Sequence, residues 1–232
     1  MPLGDRSSAR PCRTVTGVSE RFDVLMPEER STGVAVALAS LARGEIVVAP
    51  TDTVYGIACD AFTHTAVAAL LAAKGRGRDM PVPVLVGTLA TFRAITATRG
   101  AYGDRLVEAL WPGPLTLVCT EQRSLRWDLG EGGGTVAVRM PDHELMLELL
   151  VKHGPLAVTS ANRSGEPAAT TCDDAERQLG TSVHVYLDGG DAPSAVASTI
   201  VDLTASTPRV LRVGAVPVER LREIVPDLEV DE

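Results

Sequence analysis

The chain has 232 residues, a formal net charge of -8, 45% hydrophobic residues and 3% aromatic residues. That length fits one large domain or two small ones, with enough apolar material for a core. The acidic balance excludes a protein that binds nucleic acid over its whole surface, and the scarce aromatics exclude a single-strand binder built on stacking platforms.

No apolar run is long enough to span a bilayer, so no membrane partner is expected. Cys12, Cys59, Cys119 and Cys172 show neither zinc-ligand spacing nor a Cys-x-x-Cys pair. Cys59 and Cys119 sit in apolar segments and are expected as small core residues. Nothing demands an oxidising compartment, and the expected location is cytoplasmic.

Met1 to Arg21 carries four arginines and no apolar block, so it is expected to be a flexible arm and not a secretory signal. The folded domain is expected over residues 22–225, with 226–232 as a C-terminal tail. Glu28 to Arg43 has helical apolar spacing, an acidic first turn and Gly44 as a stop. Glu45 to Pro50 is a short apolar run read as a buried strand. Thr65 to Ala73 is helical and runs into Lys74-Gly75. Strands are expected at Val82 to Val86, Leu115 to Thr120 and Thr135 to Arg139, with a glycine-rich charged loop over 121–134. Asp142 is expected to cap a helix through Lys152, followed by a strand at Leu156 to Thr159. Thr171 with Asp174 resembles a capping box for a helix ending at Gly180. Strands at Val183 to Leu187, Thr199 to Leu203 and Arg209 to Val213 precede a helix at Val218 to Val225. Helices alternate with strands early and strands cluster late. The expected fold class is α/β with α+β character: one domain with a mixed sheet and helices packed on its faces.

Several short polar stretches could carry chemistry. Pro50-Thr51-Asp52-Thr53-Val54-Tyr55-Gly56 follows a buried strand, and strand ends border the ligand crevice in open α/β sheets. Alone it reads as a turn whose Thr and Asp satisfy local backbone. Lys74-Gly75-Arg76-Gly77-Arg78 puts three cations at a helix C-terminus, where the helix dipole favours them. Its glycines also admit close approach by a ligand, and Lys and Arg are the usual phosphate partners. It lacks the residue order of a Walker A loop. Trp111 to Thr116 is a rigid turn with Trp111 expected in the core, and Thr116 could present a hydroxyl. Arg139 ends a strand and fits either a bidentate carboxylate clamp or a surface salt bridge. Ser160-Ala161-Asn162 leaves another strand with small polar groups suited to nucleotide contacts. No Gly-x-Ser-x-Gly elbow surrounds Ser160. His64, His143, His153 and His184 are scattered and expected in surface or cap roles.

In order, PTDTVYG, KGR, WPGPLT, VAVRMP, SANRSGEP, DGG, STIVDLT and LRVG resemble the YrdC-type family of L-threonylcarbamoyladenylate synthases. The set covers nearly all of the folded chain. The resemblance implies a twisted mixed sheet flanked by helices, with a basic concave face. It implies that L-threonine, bicarbonate and ATP give threonylcarbamoyl-AMP and pyrophosphate. A separate tRNA threonylcarbamoyl transferase complex then modifies the adenosine beside the anticodon. By the same resemblance Lys74 and Arg76 hold the phosphates as catalytic groups. Thr116, Ser160, Asn162, Thr170 and Arg212 line the nucleotide. Thr53, Arg139 and Ser198 hold threonine, with Arg139 on its carboxylate. Magnesium is expected on the ATP phosphates, with no protein ligands. Leu85 stands where some members place a histidine near the threonine, and Met80 replaces a polar residue. Gly130 to Gly134 is a candidate lid. Two other readings stay open: an RNA-binding module of the same fold, with direct but weak tRNA contact, and a paralogue acting on another carbamoyl or acyl substrate.

Overall fold

The computed structural model describes residues 19–230, so residues 1–18 of the expected 1–21 arm, with Cys12, lie outside the described residues, while the end of that arm is corrected: Glu20 and Arg21 belong to a strand that pairs in the sheet. In chain order the elements are β1 (Glu20–Asp23), α1 (Pro27–Ala42), β2 (Val47–Ala49), β3 (Gly56–Asp60), α2 (His64–Lys74), β4 (Val84–Leu85), α3 (Leu89–Ile95) and β5 (Thr96–Thr98). They continue with α4 (Gly103–Leu110), β6 (Leu115–Glu121), β7 (Thr135–Arg139), α5 (Glu144–His153), β8 (Leu156–Ser160), α6 (Cys172–Leu179), β9 (Val185–Asp188), β10 (Thr199–Asp202), β11 (Arg209–Arg212), α7 (Val218–Arg222) and β12 (Glu229–Val230). The strands form one mixed sheet in the order β1-β9-β2-β3-β8-β4-β7-β6-β10-β11-β12, with β5 pairing onto β6.

The expected helices form because their apolar residues recur on one face and meet the sheet. The Thr171 side chain accepts from the Asp174 amide at 3.1 Å and starts α6, as its spacing implies. The other predicted cap is corrected. His143, not Asp142, occupies the N-cap position of α5, and its side chain makes no capping bond. Lys74 ends α2 because Gly75 turns left-handed at φ 61°.

Sequence reasoning passed over β3, α3, β5 and α4, and assigned no strand to β1 or β12. The run Gly56–Asp60 lies close behind a proline-marked turn, so it reads as loop, yet it is paired on both sides. The chain past Val225 continues into β12, which pairs with β11, and Leu228 is buried in the core.

Two cores lie on opposite faces of the sheet, as the period of two along a strand requires. Ile57, Cys59, Val84, Leu115, Leu117, Cys119, Val138 and Val201 belong to the larger one. Val47, Ala49, Ala58, Leu85, Leu156 and Val158 face the other way and pack under α1 and α5. On β6, β7 and β10 the residues of that second face, including Thr116, Thr135, Ala137, Arg139 and Ile200, belong to neither core. The second face therefore has an apolar half under helices and a half without that cover. The functional residues gather where one gives way to the other.

Candidate active site

Register alone brings several distant residues into line. Leu85 pairs with Leu156 on one side and Arg139 on the other. Leu117 pairs with Val138, which sets Arg139 opposite Thr116. Thr116 pairs with Ile200, and Ile200 with Arg212. One cross-sheet row thus runs Leu156, Leu85, Arg139, Thr116, Ile200, Arg212, with steps of about 4.8 Å. It starts beneath α5 as leucine and ends on the open half as arginine.

Arg139 is only 7% exposed. Its Nε donates to the Gly113 carbonyl at 3.0 Å and Nη1 to the Thr53 hydroxyl at 3.1 Å, while Nη2 forms an ion pair with Asp52. The alternative of a surface salt bridge is thereby corrected: the ion pair is buried. Burial pulls the guanidinium below its ordinary range, and Asp52 opposes that shift. The turn holding Thr53 is stitched internally. Thr51 Oγ1 donates to the Val54 carbonyl at 2.6 Å and lies 3.0 Å from Thr53 Oγ1. Since the Thr51 proton is committed, Thr53 donates to Thr51 and accepts from Arg139.

Thr116 and Ser198, assigned to different substrates by the resemblance, touch each other at 2.8 Å. Arg212 joins them. Its Nε and Nη2 donate to the Ser198 carbonyl at 3.1 and 2.8 Å, and Nη2 also reaches Ser198 Oγ at 3.2 Å. Gly214 explains the end of the LRVG stretch. A Cβ there would overlap backbone atoms of Ala197 and Ser198.

Ser160 lies four residues along β8 from Leu156, about 13 Å from the level of Arg139. What draws this end toward the site is α2. Lys74, 3% exposed, points Nζ at the carbonyls of Ser160 and Asn162, both at 2.5 Å, and at Asn162 Oδ1 at 3.4 Å. The Asn162 amide in turn donates to the Arg163 and Glu166 carbonyls, each at 2.8 Å. Arg76 donates to Thr159 Oγ1 at 3.1 Å and to the Met80 and Pro81 carbonyls at 3.0 and 3.1 Å. Among the described residues the Ser160 hydroxyl has no hydrogen-bond partner.

The four cations act on one another. Burial, aided by Arg76, pulls Lys74 down to about 8. Burial lowers Arg76, Asp79 opposes that shift and Arg212 adds a smaller lowering, while burial and Arg139 lower Arg212. Mutual repulsion of that kind requires the cations to share one region, and an anion is its natural relief. Arg78 does not join them. It is exposed and paired to Asp128 at 2.5 Å, so the cluster of three cations in five residues splits in the fold.

Thr170 accepts from the Ala192 amide at 2.7 Å through its carbonyl, beside Ala169, whose carbonyl accepts from the Tyr55 amide at 2.9 Å. Leu85 is buried against α5 in the second core and adjoins Arg139 through the ladder. Met80 is 46% exposed. The Gly130 to Gly134 loop is tied down by the Glu131 amide on the Arg78 carbonyl at 2.8 Å, and it borders the segment that carries the Met80 and Pro81 acceptors. Asp52 and Tyr55 were not singled out as site residues by sequence. Tyr55 is wholly buried, and its hydroxyl donates to the Gly190 carbonyl at 2.5 Å and accepts from the Gly189 amide at 3.0 Å, locking PTDTVYG onto DGG. The signal for both lay in their place beside Thr53.

Residues 39–214 match the Sua5_yciO_yrdC family, described as "Telomere recombination". The chain belongs to the Sua5/YciO/YrdC family. A Mycobacterium leprae relative provisionally named a threonylcarbamoyl-AMP synthase is 53% identical over 208 residues, covering 90% of this chain and 94% of the relative. The threonylcarbamoyl-AMP synthase of Pyrococcus abyssi is 32% identical over 198 residues, covering 85% of this chain and 58% of that protein. The crystal structure of P. abyssi Sua5 complexed with L-threonine superposes with a TM-score of 0.83 at 30% identity, over 92% of this chain and 62% of that one. Escherichia coli YciO, at 21% identity and a TM-score of 0.75 over 87% of this chain and 97% of its own, shares the fold. The expected mixed α/β fold of the family is the one observed.

Proposed function

We propose that this protein is a threonylcarbamoyl-AMP synthase, joining L-threonine, bicarbonate and ATP into threonylcarbamoyl-AMP with release of pyrophosphate. One observation carries the reading: of the KGR cations Lys74 is bonded to the SAN loop and Arg76 to Thr159 just before it, and a second arginine site lies across the sheet. A triphosphate and a small amino acid need those two neighbouring grips.

The chemistry asks little covalent help from the protein. The threonine amine and bicarbonate form a carbamate and water. A carbamate oxygen then bonds to the α-phosphorus of ATP as the bond to pyrophosphate breaks. Charge builds on the phosphoryl oxygens, and fixed cations offset it without reorganising. Arg76 keeps two N–H groups beyond its three protein bonds, and Arg212 keeps its Nη1 group. Lys74 offers the proton of its longest contact, the one to Asn162 Oδ1. The hydroxyls of Ser160 and Thr116, with Asn162 and Thr170, line the nucleoside side. Thr53, Arg139 and Ser198 receive threonine, Arg139 through its carboxylate. Among the described residues no three His, Cys, Asp or Glu side chains group as metal ligands, and the site's donors suit phosphate oxygens instead. Magnesium would ride on the phosphates and supply further charge neutralisation. The Gly130 to Gly134 loop would shield the carbamate from water.

The product would pass, in the cytoplasm, to a transferase complex that modifies the adenosine beside the tRNA anticodon, with any direct tRNA contact weak. Among the described residues no helix is long and apolar enough to cross a membrane. The test is pyrophosphate release from ATP with bicarbonate, comparing threonine, serine and no amino acid. Release that depends on threonine is the expected result. Release that prefers another amino acid would support the paralogue reading. Salt-sensitive tRNA binding without release would support an RNA-binding module.

A further inference from the structure

Asp52 sits in the turn between β2 and β3 with its side chain 11% exposed. One oxygen, Oδ1, is committed to Arg139. The other, Oδ2, is buried and has no hydrogen-bond partner among the described residues. A buried carboxylate oxygen without a donor is costly, so a native fold keeps one for a reason.

We propose that Asp52 forms an amino-group subsite, in which its Oδ2 receives the α-ammonium of the amino acid whose carboxylate lies on Arg139. The inference rests on the reading of Arg139 given above and adds what that reading lacks, a partner for the ammonium. An α-amino acid is a zwitterion. The Asp52–Arg139 ion pair presents the two complementary charges side by side. Seating one on the other adds no net charge to a buried place, where a net charge would be expensive. The subsite therefore selects zwitterionic α-amino acids over hydroxy acids of the same shape.

Calorimetric titration of the full chain with L-threonine and with 3-hydroxybutyrate, which lacks only the ammonium, tests this. Wild type should prefer threonine by about tenfold or more, the scale of a charge-assisted hydrogen bond. Asp52→Asn should lose about tenfold or more in threonine affinity while 3-hydroxybutyrate binds as well or better, so the preference disappears. Equal weakening of both ligands would mean that Asp52 acts only through the placement of Arg139, and would overturn the proposal. Unchanged affinities would overturn it too. Asp52→Ser is the second variant should Asp52→Asn fail to fold, and the preference must narrow there as well. A wild type that binds neither ligand would overturn the reading of Arg139 itself, and the subsite with it. A variant defect confined to threonine binding by a competent wild type separates the two.

Discussion

Lys74 shows how one side chain can serve both structure and chemistry. Its ammonium is buried, held by two carbonyls and an amide oxygen, and its pKa falls to about 8. The protonated form prevails below that value and the neutral form above it. The kcat/KM for ATP, which reports the free enzyme, is therefore expected to fall as pH rises through 8. A pH profile checks this, and the break should vanish in Lys74→Arg, whose charge persists. Arg76→Ala should weaken ATP use about tenfold or more, about 1.4 kcal/mol, measured as kcat/KM for ATP with threonine saturating. Arg139→Ala should chiefly raise the KM for threonine, and an unchanged threonine dependence would remove it from that role. The sequence showed which residues these were, because the motifs are local and polar. It could not show that Lys74 bonds the SAN loop, that Arg78 leaves the cluster for Asp128, or that Asp52 takes one arm of Arg139. Those are contacts between segments far apart in the chain, and no spacing encodes them.

Elements decide what each motif can reach. The PTDTVYG turn links three parts of the site: Thr53 meets Arg139, the Tyr55 carbonyl accepts from Ala161 at 2.8 Å, and the Tyr55 hydroxyl holds the turn after β9. Tyr55→Phe leaves the Gly189 amide and the Gly190 carbonyl short of a partner inside the fold. A loss of about 1–3 kcal/mol is expected in urea unfolding. Leu85 shows the reverse case. By the resemblance it stands where some members place a histidine near the threonine, and in the fold it joins the second core together with Leu145, Met146 and Leu149 of α5. Leu85→Ala should therefore cost about 2–5 kcal/mol of stability, the scale of a buried cavity, and thermal unfolding measures it. The amphipathic helices and the alternating strands were legible from their periods. The short strands β1, β3 and β12 were not, because two to five residues carry too little period to separate strand from loop.

At the scale of the whole molecule, an acidic chain carries a cationic site. The net charge of -8 would repel a polyanion, whereas Lys74, Arg76, Arg139 and Arg212 act on one another in one region. Composition alone therefore bears on whole-surface RNA binding and says nothing of a local phosphate grip. By itself, the sequence determined the class of fold, its family, and the residue types available for phosphate and carboxylate, since these follow from local periodicity and from ordered motifs. Only the tertiary structure decided which residues share a row across the sheet, where the helical cover stops, and which charges are buried together. Strand register and the packing of α5 set those outcomes, and both depend on contacts between residues that the chain itself keeps far apart.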